Sequence, residues 1–296
     1  MKLTGSGLVV VDKPGGMTSH DVVARLRRLL GTRKVGHAGT LDPMATGVLV
    51  VGVNRATRLL GHLMLTEKAY DATIRLGART STDDAEGEVL SRADPLAVPE
   101  AEIRTALGSF VGAIEQVPSA VSAIKVDGRP AYARVRDGEA VALTPRRVQI
   151  HELVIHEVRL PEVRISLRCS SGTYVRAIAR DLGERLGVGG HLSALRRTAV
   201  GPFGLDGART LEELGDLLER HGGDPERVVL PLAEAARASF ASHDLDAAQA
   251  ADVRVGRALA LELRDTTAVF APDGEFLALY AAAAPGSARP LAVFVG

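Results

Sequence analysis

Residues 36–47 read Gly-His-Ala-Gly-Thr-Leu-Asp-Pro-Met-Ala-Thr-Gly, with a basic cluster before them and an apolar run after them. Three glycines in this stretch allow the backbone to turn through positive φ angles and allow a ligand to approach it closely. His37 and Asp42 are its ionisable side chains. Taken alone, an Asp before a Pro more often starts a turn or caps a helix than acts in catalysis. The rest of the chain decides between these two interpretations.

Composition favours a soluble cytoplasmic protein. The 296-residue chain is long enough for two domains, and 46% of it is apolar, which supports a sizeable core. No apolar run reaches the roughly 18 residues of a membrane span, and the N-terminus lacks the apolar stretch of a signal peptide. Cys169 is the only cysteine, so no intrachain disulfide can form, as is typical of a reducing compartment.

The charge is balanced overall but uneven along the chain. Residues 1–65 carry nine Lys or Arg against three acids, and residues 164–200 carry seven Arg against two acids. Residues 205–296 are acidic, with eight Arg against fifteen acids. Screening limits electrostatic attraction to about 8 Å at physiological salt, so a polyanion would respond to the two basic segments rather than to the average. The pattern predicts either a basic face for nucleic acid or ordinary solvated arginines on helix surfaces.

Hydrophobic periodicity predicts an α+β fold with a mixed, largely antiparallel sheet, because strands and helices do not alternate regularly. The predicted strands cover 8–11, 48–53, 70–77, 148–158 and 163–169. One predicted helix begins at Thr18 or Ser19. Two further helices are predicted at 99–109 and 173–186. Composition changes after about residue 230, where a short helix at 244–253 and strands at 258–263, 268–270, 275–280 and 291–295 predict a small, mostly β domain.

Two clusters that could bind metal are better explained as structural. His151 and His156 are one residue too far apart for the helical zinc-protease pattern, and their segment alternates like a strand. Asp83, Asp84, Glu86 and Glu88 lie beside a glycine between two strands, which favours a turn over a cation site. Three features remain as candidate chemistry: Asp42, Tyr70 and the segment 170–176.

Five blocks in this order resemble the bacterial tRNA pseudouridine-55 synthases of the TruB type. They read Lys13-Pro14-x-Gly16-x-Thr18-Ser19-His20, Gly36-His37-x-Gly39-x-Leu41-Asp42-Pro43-x-Ala45-Thr46-Gly47, Lys68-x-Tyr70, Ser171-Gly172-Thr173-Tyr174-Val175-Arg176 and Leu195-Arg196-Arg197. One such block would be a weak signal, whereas five in register across nearly the whole catalytic region are highly specific. The resemblance implies the pseudouridine-synthase fold over residues 1–232, with an RNA-gripping thumb at 117–147, and a PUA-like RNA-binding domain over 237–296.

The resemblance also implies the reaction. A uridine in the T-loop of tRNA is isomerised to pseudouridine when its N-glycosidic bond breaks, the base rotates and carbon 5 is joined to the sugar. The family uses no metal and no organic cofactor, needs no protein partner and is expected to act as a monomer on the T-stem-loop. Whether the catalytic Asp attacks the sugar, attacks the base or removes a sugar proton stays open.

By position in the motifs, Asp42 is the implied catalytic carboxylate. His37 would occupy the space that the flipped base vacates, and Tyr70 would stack on that base. Stacking of this kind is worth roughly 1–3 kcal/mol per base, which offsets much of the few kcal/mol that flipping costs. Arg176 would keep Asp42 ionised against the effect of burial, while Tyr174 and Leu195 line the pocket. The residues implied in phosphate contacts are Lys13, Arg33, Lys34, Lys125, Arg129, Arg196 and Arg197.

Two departures from the family pattern affect RNA contacts rather than the pocket. Residues 118–123 read Pro-Ser-Ala-Val-Ser-Ala where many members have Pro-Pro-Met-Tyr-Ser-Ala, and Ala69 stands where an Arg is frequent. A non-catalytic protein that remodels tRNA with the same surface is the alternative function. A guide-RNA-dependent relative is less well supported, because the chain has no long basic extension.

Overall fold

The computed structural model describes residues 3–120 and 143–295, and also the backbone of two short strands between these ranges. Its strands are β1 (Gly7–Lys13), β2 (Val35–His37), β3 (Thr46–Val53), β4 (Lys68–Leu76), β5 (Ala78–Thr80), β6 (Val89–Arg92), β7 (Gly112–Gln116), β8 (Lys125–Val126), β9 (Arg129–Pro130), β10 (Arg146–Arg159), β11 (Glu162–Cys169), β12 (Gly190–Val200), β13 (Phe203–Gly204), β14 (Leu230–Pro231), β15 (Ala241–Asp244), β16 (Thr267–Phe270), β17 (Phe276–Ala284) and β18 (Ser287–Val293).

The described helices are short or of medium length. They are α1 (Ser19–Leu29), α2 (Leu60–Leu63), α3 (Glu100–Gly108), α4 (Val175–Arg185), α5 (Leu211–Arg220), α6 (Leu232–Ser239) and α7 (Ala247–Arg254). Short 3₁₀ helices occupy Asn54–Arg58, Leu205–Gly207 and Pro225–Val228. None of the helices in the described part of the chain combines the length and apolar character that a bilayer crossing requires.

A large sheet forms the frame of residues 7–231, in the order β14-β1-β3-β12-β4-β11-β10-β7, with β2 beside β3 and β13 beside β12. Within the described residues, β12 with β3 is the one parallel strand pair of this sheet, and the other neighbours are antiparallel. The prediction of a mixed, largely antiparallel sheet in an α+β fold is therefore confirmed. The sheet includes a long strand, β12, that the sequence reading did not find.

Sequence patterns explain the central strands. The uninterrupted apolar run in β3 is buried along almost its whole length, as expected for a strand covered on both faces. In β4, Tyr70, Ala72 and Ile74 are buried while Asp71 and Arg75 are exposed, which is the period of two in a strand with one covered face. Helix α4 packs against β12 and β4, and Val175 and Arg176 of its first turn line one cavity with Lys68 and Tyr70 at the start of β4.

Helix α1 starts where its sequence predicts. Thr18 is the N-cap, and its side chain accepts from the Asp21 N–H while the Asp21 carboxylate accepts from the Thr18 N–H. Such a capping box satisfies two donors that the first turn leaves unpaired. The buried residues Val22, Val23 and Leu26 hold α1 against the main core. The same helix carries basic residues in its last turn.

The C-terminal region forms a four-stranded sheet in the order β15-β16-β17-β18, which confirms a small β domain after α6. The predicted strand at 258–263 is wrong: in that segment only Leu259 makes a bridge, to Ala288, and its side chain fills the core of the small domain. Alternating Ala and Leu therefore reflect burial there rather than pairing.

The two regions share a hydrophobic core. Phe270, Phe276 and Phe294 of the small domain belong to the same buried cluster as Val48 and Val50 of β3. Helix α6 contacts both β1 and β17, and it spans the predicted boundary between 1–232 and 237–296, which stays a prediction. The predicted thumb, 117–147, lies outside the described residues from 121 to 142, apart from the backbone pairing of β8 with β9.

Candidate active site

The sheet register brings three sequence blocks side by side. Arg197 on β12 pairs with Gly47 on one side and with Tyr70 on the other. Gly47 has a φ of 100°, and a Cβ atom there would lie 2.2 Å from the Arg197 carbonyl oxygen. Only glycine tolerates both the backbone angle and this contact. This close approach is made to a neighbouring strand, whereas the sequence had suggested an approach to RNA.

Buried polar side chains fix the loop that carries Asp42. The Lys13 Nζ donates to the carbonyls of Pro14, Met17 and Pro43 at 2.9, 2.6 and 3.2 Å. The Ser19 hydroxyl accepts from the Leu41 N–H at 2.9 Å and donates to the Leu41 carbonyl at 3.2 Å. Leu41, before Asp42, is therefore held by Ser19, and Pro43, after it, is held by Lys13.

Arg197 supports the other side of the same loop. Its side chain is 1% exposed, and its guanidinium donates to the carbonyls of Val48, Thr40 and Gly39 at 2.7, 3.4 and 3.2 Å. A buried charge needs such partners, since an unpaired one costs several kcal/mol. Arg197 is thus an internal brace for residues 39–48.

Asp42 faces Arg176 in a two-point ion pair. The Arg176 Nε lies 3.0 Å from Asp42 Oδ2, and Nη2 lies 3.1 Å from Oδ1. Planar guanidinium and carboxylate groups match in this geometry, which makes such pairs among the stronger charge-assisted hydrogen bonds. The Arg176 side chain is 5% exposed, against 32% for Asp42, so the carboxylate keeps an open side while its partner is enclosed.

Asp84 completes a chain of charges behind Asp42. Its Oδ2 lies 3.2 Å from Arg176 Nη1, which also donates to the Thr82 carbonyl at 2.8 Å. Asp84 is 2% exposed and accepts in addition from the Thr82 hydroxyl and the Glu86 N–H. Arg176 is therefore held from behind by Asp84 and presents its other edge to Asp42. This agrees with the predicted turn at 83–88 and adds a function that its sequence did not suggest.

The surroundings raise the pKa of Asp42 above its ordinary value of 3.8, with burial as the main cause and the charge of Asp84 acting in the same direction. The Arg176 and Lys13 charges oppose this shift. Burial disfavours the charged form of a carboxyl group and a nearby cation favours it. The predicted opposition between enclosure and Arg176 is present in the structure, with enclosure the stronger of the two.

A cavity of about 290 Å³ opens beside the Asp42 carboxylate. This is near the lower limit of ordinary small-ligand sites. Of the predicted pocket residues, it is lined by Asp42, Tyr70, Tyr174, Arg176 and Leu195. The remaining lining residues are Gly39, Thr40, Leu41, Met64, Lys68, Gly172, Thr173, Val175 and Arg197. The fold thus gathers into one cavity residues that are up to 158 positions apart along the chain.

Tyr70 and Lys68 form a wall of the cavity that has little contact with water. Tyr70 is 7% exposed and Lys68 is 8% exposed. Burial raises the pKa of the Tyr70 hydroxyl and lowers that of the Lys68 amine to about 8, with the Arg197 charge acting in the same direction. The Lys68 Nζ donates to the Met64 and Thr66 carbonyls, both at 2.9 Å.

His37 does not line this cavity. It is in β2, opposite Val51, and its ring meets the His20 ring edge-on with centroids 5.5 Å apart. Burial is the main cause that lowers its pKa, with the charges of His20 and Arg197 adding to it. Its Nδ1 is buried and has no hydrogen-bond partner among the residues that the structure describes. Its predicted action on the vacated base position stays a prediction.

The predicted phosphate contacts divide into four groups, of which the exposed pair Arg33 and Lys34 is described last. Lys13 is 0% exposed and Arg197 is 1% exposed, and their donors serve backbone carbonyls inside the protein. Their phosphate contacts stay a prediction that this burial argues against. Arg196 is half-buried and pairs with Asp12 at 2.7 Å. The side chains of Lys125 and Arg129 lie outside the described residues.

Arg33 and Lys34 are exposed, as are Arg25 and Arg28 on α1. None of these four residues, which we call the surface cluster, forms an ion pair with a described residue. They are therefore available to a polyanion such as RNA, whose phosphates dominate non-specific affinity. Within the described residues, no group of His, Cys, Asp or Glu is arranged to hold a metal ion.

Sequence reasoning missed Asp84, Lys68 and Gln116 as parts of the site. Gln116 is 1% exposed, and its amide bonds to both the N–H and the carbonyl of Tyr174. Asp84 belongs to the carboxylate-rich segment 83–88, and Lys68 belongs to the block Lys68-x-Tyr70. The sequence therefore drew attention to both residues without indicating what they do. Gln116 had no such signal, because a single Gln at a strand end has no distinctive pattern.

Comparisons with known proteins match one family along nearly the whole chain. The profile of the TruB family pseudouridylate synthase N-terminal domain matches residues 27–175. That of the tRNA pseudouridylate synthase B C-terminal domain matches 176–237, and that of the tRNA pseudouridine synthase II C-terminal domain matches 240–295. Together these profiles cover most of the chain.

Similar proteins support the same assignment. The tRNA pseudouridine synthase B of Arthrobacter sp. (strain FB24) is 55% identical over 305 residues, which cover 98% of this chain and 96% of the relative. That of Thermobifida fusca is 52% identical, with 98% and 99% covered. A solved Cbf5–Nop10–Gar1 complex contains a chain with a TM-score of 0.76 and 27% identity, covering 98% of this chain and 85% of that one. The chain belongs to the TruB family of pseudouridylate synthases.

Proposed function

We propose that this chain isomerises uridine 55 in the T-loop of tRNA to pseudouridine, with Asp42 as the catalytic carboxylate. The observation that carries the proposal is the Asp42 carboxylate itself: it is paired at two points with the enclosed Arg176 and has its open side on a cavity of about 290 Å³. The names of the similar proteins, tRNA pseudouridine synthase B, support tRNA as the substrate.

The cavity chemistry suits a uracil that has left its stack. The C1′–N1 bond of the uridine breaks, the base turns, a C1′–C5 bond forms, and the proton on C5 is replaced by one on N1. Asp42 acts in its ionised form, on the sugar or on the base. The Arg176 charge favours this ionised form, although burial opposes it. Because the group is enclosed, water competes poorly for both partners.

Aromatic and apolar side chains hold the flipped base. Tyr70 stacks on the ring, and Tyr174 and Leu195 close the cavity around it. His37, which lies two residues before the cavity-lining segment 39–42, takes the space that the base leaves in the loop. The surface cluster contacts phosphates on the stem side and positions the RNA without reading its sequence.

The proposal includes the setting of the reaction. The enzyme acts in the cytoplasm as a monomer, on tRNA alone and without a protein partner. Residues 237–296 contribute as a PUA-like RNA-binding domain, although that domain shares a core with the catalytic sheet.

The experiment compares wild type with Asp42→Asn on T-arm RNA labelled with tritium at uridine C5. Wild type is expected to release tritium to water and to produce pseudouridine at position 55. Asp42→Asn is expected to bind the RNA with nearly unchanged affinity and to release tritium below about one thousandth of the wild-type rate. Measurable turnover by Asp42→Asn or Asp42→Ala would remove Asp42 from its assigned role. Wild-type binding without any pseudouridine would favour a non-catalytic RNA-remodelling protein.

A further inference from the structure

Gln116 makes an unusual contact at the end of β7. Its side chain is almost fully enclosed, at 1% exposure. The Nε2 donates to the Tyr174 carbonyl at 3.1 Å, and Oε1 accepts from the Tyr174 N–H at 2.8 Å. One side-chain amide therefore satisfies both backbone groups of a residue 58 positions away. Enclosed hydrogen bonds of this kind are costly to break, because the partner is then left without water.

The residue that it holds starts the helix that carries Arg176. Tyr174 is the N-cap of α4, and no side chain of α4's own N-terminus caps this helix. The Tyr174 carbonyl also accepts from the N–H groups of Ala177 and Ile178. The Gln116 amide thus supports the first turn of α4, two residues before Arg176. It also fixes the backbone from which the Tyr174 ring lines the cavity.

A second contact joins the next residue to the same helix. The Val117 carbonyl accepts from Arg180 Nη2 at 2.8 Å, and Arg180 Nη1 pairs with Asp83 at 3.1 Å. Asp83 adjoins Asp84, the residue that holds Arg176 from behind. Residues 116–117 are therefore bonded to α4 at two places, one on each side of Arg176.

We propose that Gln116 is a positioning residue for the reaction: by clamping the Tyr174 backbone it sets the orientation of the Tyr174 ring and of Arg176 towards Asp42. The inference rests on the proposed function, since it concerns the rate of that reaction. Gln116 does not line the cavity within the described structure, so it acts through Tyr174 and leaves RNA binding unaffected. Loss of the clamp lowers the rate of the chemical step.

The first test replaces Gln116 by Leu, which is similar in size and makes neither bond. We expect the single-turnover rate of pseudouridine formation on T-arm RNA to fall about tenfold or more, with the Kd for the RNA within twofold of wild type. Gln249→Leu is the matched control, because Gln249 also uses its side-chain oxygen on a backbone N–H, that of Asp246 in the small domain. This control is expected to lose some thermal stability and to keep the wild-type rate.

The second test uses Gln116→Glu, and it remains informative if the Leu variant folds poorly. A protonated Glu carboxyl can donate to the Tyr174 carbonyl and accept from its N–H, as the amide does, whereas an ionised one can only accept. We therefore expect the ratio of variant to wild-type rate to rise as pH falls. Because burial raises a carboxyl pKa, this rise is expected above the ordinary glutamate range. If Gln116 only stabilises the fold, the stability of the Glu variant changes with pH, while the ratio of the rates of the folded proteins stays constant.

Three outcomes overturn the inference: a wild-type rate for folded Gln116→Leu, an equal loss of rate in Gln249→Leu, or a flat pH ratio for Gln116→Glu. Failure of the proposed function gives a different result, because wild type itself then forms no pseudouridine or Asp42→Asn keeps its activity. An active wild type with an inactive Asp42→Asn and an unaffected Gln116→Leu rejects the clamp alone.

Discussion

Two arginine-rich regions of this molecule look alike in sequence and differ completely in the fold. One region holds the internal arginine group, which consists of Arg176, Arg180, Arg196 and Arg197. Their guanidinium groups donate to carboxylates and carbonyls of the protein. The surface cluster is exposed and forms no ion pair with a described residue. The excess of basic residues at 164–200 is thus largely neutralised within the structure, whereas the excess near the N-terminus remains available. The distribution of charged residues along the sequence therefore does not show which of them are exposed to a binding partner.

The sharpest test of the internal group is Arg176→Met. We expect the rate of pseudouridine formation to fall at least about a hundredfold, as is typical when one electrostatic partner at an active site is lost. Because Asp84 is then buried without its partner, the free energy of unfolding is expected to fall by about 3–5 kcal/mol. Tritium release and urea denaturation measure the two effects.

Arg185→Met is the control for that variant. Arg185 is on the same helix but is exposed, so its loss is expected to change neither the rate nor the Kd for RNA substantially. Equal losses in both variants would mean that α4 responds to any arginine substitution, and the special position of Arg176 would be rejected.

Arg197→Met is expected to act mainly on stability. It leaves the carbonyls of Val48, Thr40 and Gly39 without their donor, and each unsatisfied buried acceptor costs about 1–3 kcal/mol. We expect a loss of about 3 kcal/mol or more in urea denaturation. The salt dependence of RNA binding by the folded fraction should stay the same, since Arg197 is enclosed. A shallower salt dependence for Arg197→Met than for wild type would mean that Arg197 contacts a phosphate, contrary to what its burial indicates.

The pH profile tests the charges behind Asp42. Its pKa is raised above 3.8, so activity that needs the ionised form is lost as pH falls through a value above 3.8. Asp84 contributes to this rise. Asp84→Asn is therefore expected to move the acid limb of the rate profile to lower pH, whatever it does to the maximal rate. Asp83→Asn, which alters the pair with Arg180 instead, should leave the limb in place, and a limb shifted equally by both variants would contradict the assignment.

The smallest effect is expected from the surface cluster. Replacing both Arg33 and Lys34 by Ala should weaken T-arm binding and reduce the slope of log K against log salt by about 1.4–1.8, since each phosphate contact contributes about 0.7–0.9. The rate at saturating RNA should be unchanged. Arg92→Ala, at an exposed position on β6, is the control. An unchanged slope in the double variant would place the RNA on another surface.

Local patterns predicted most of the frame. The apolar run of β3, the alternation of β4 and the Thr18 cap of α1 are signals within single elements, and the structure confirms each of them. Strand β12 was missed because glycines precede it and small polar residues interrupt its apolar positions. The strand predicted at 258–263 is the opposite error. Its apolar side chains are buried individually, and their spacing resembles the alternation of buried and exposed residues in a strand.

The sequence by itself indicated the family and five residues of the pocket, because five blocks in fixed order carry that information in residue types and spacing. These five residues, Asp42, Tyr70, Tyr174, Arg176 and Leu195, line one cavity. Only the tertiary structure decided which charged residues face solvent, and that Lys13 and Arg197 brace the loop while Asp84 and Gln116 hold the two sides of Arg176. The physical reason is that burial and pairing depend on strands and helices distant in sequence, so a charge acquires its role from the partners that the fold places beside it.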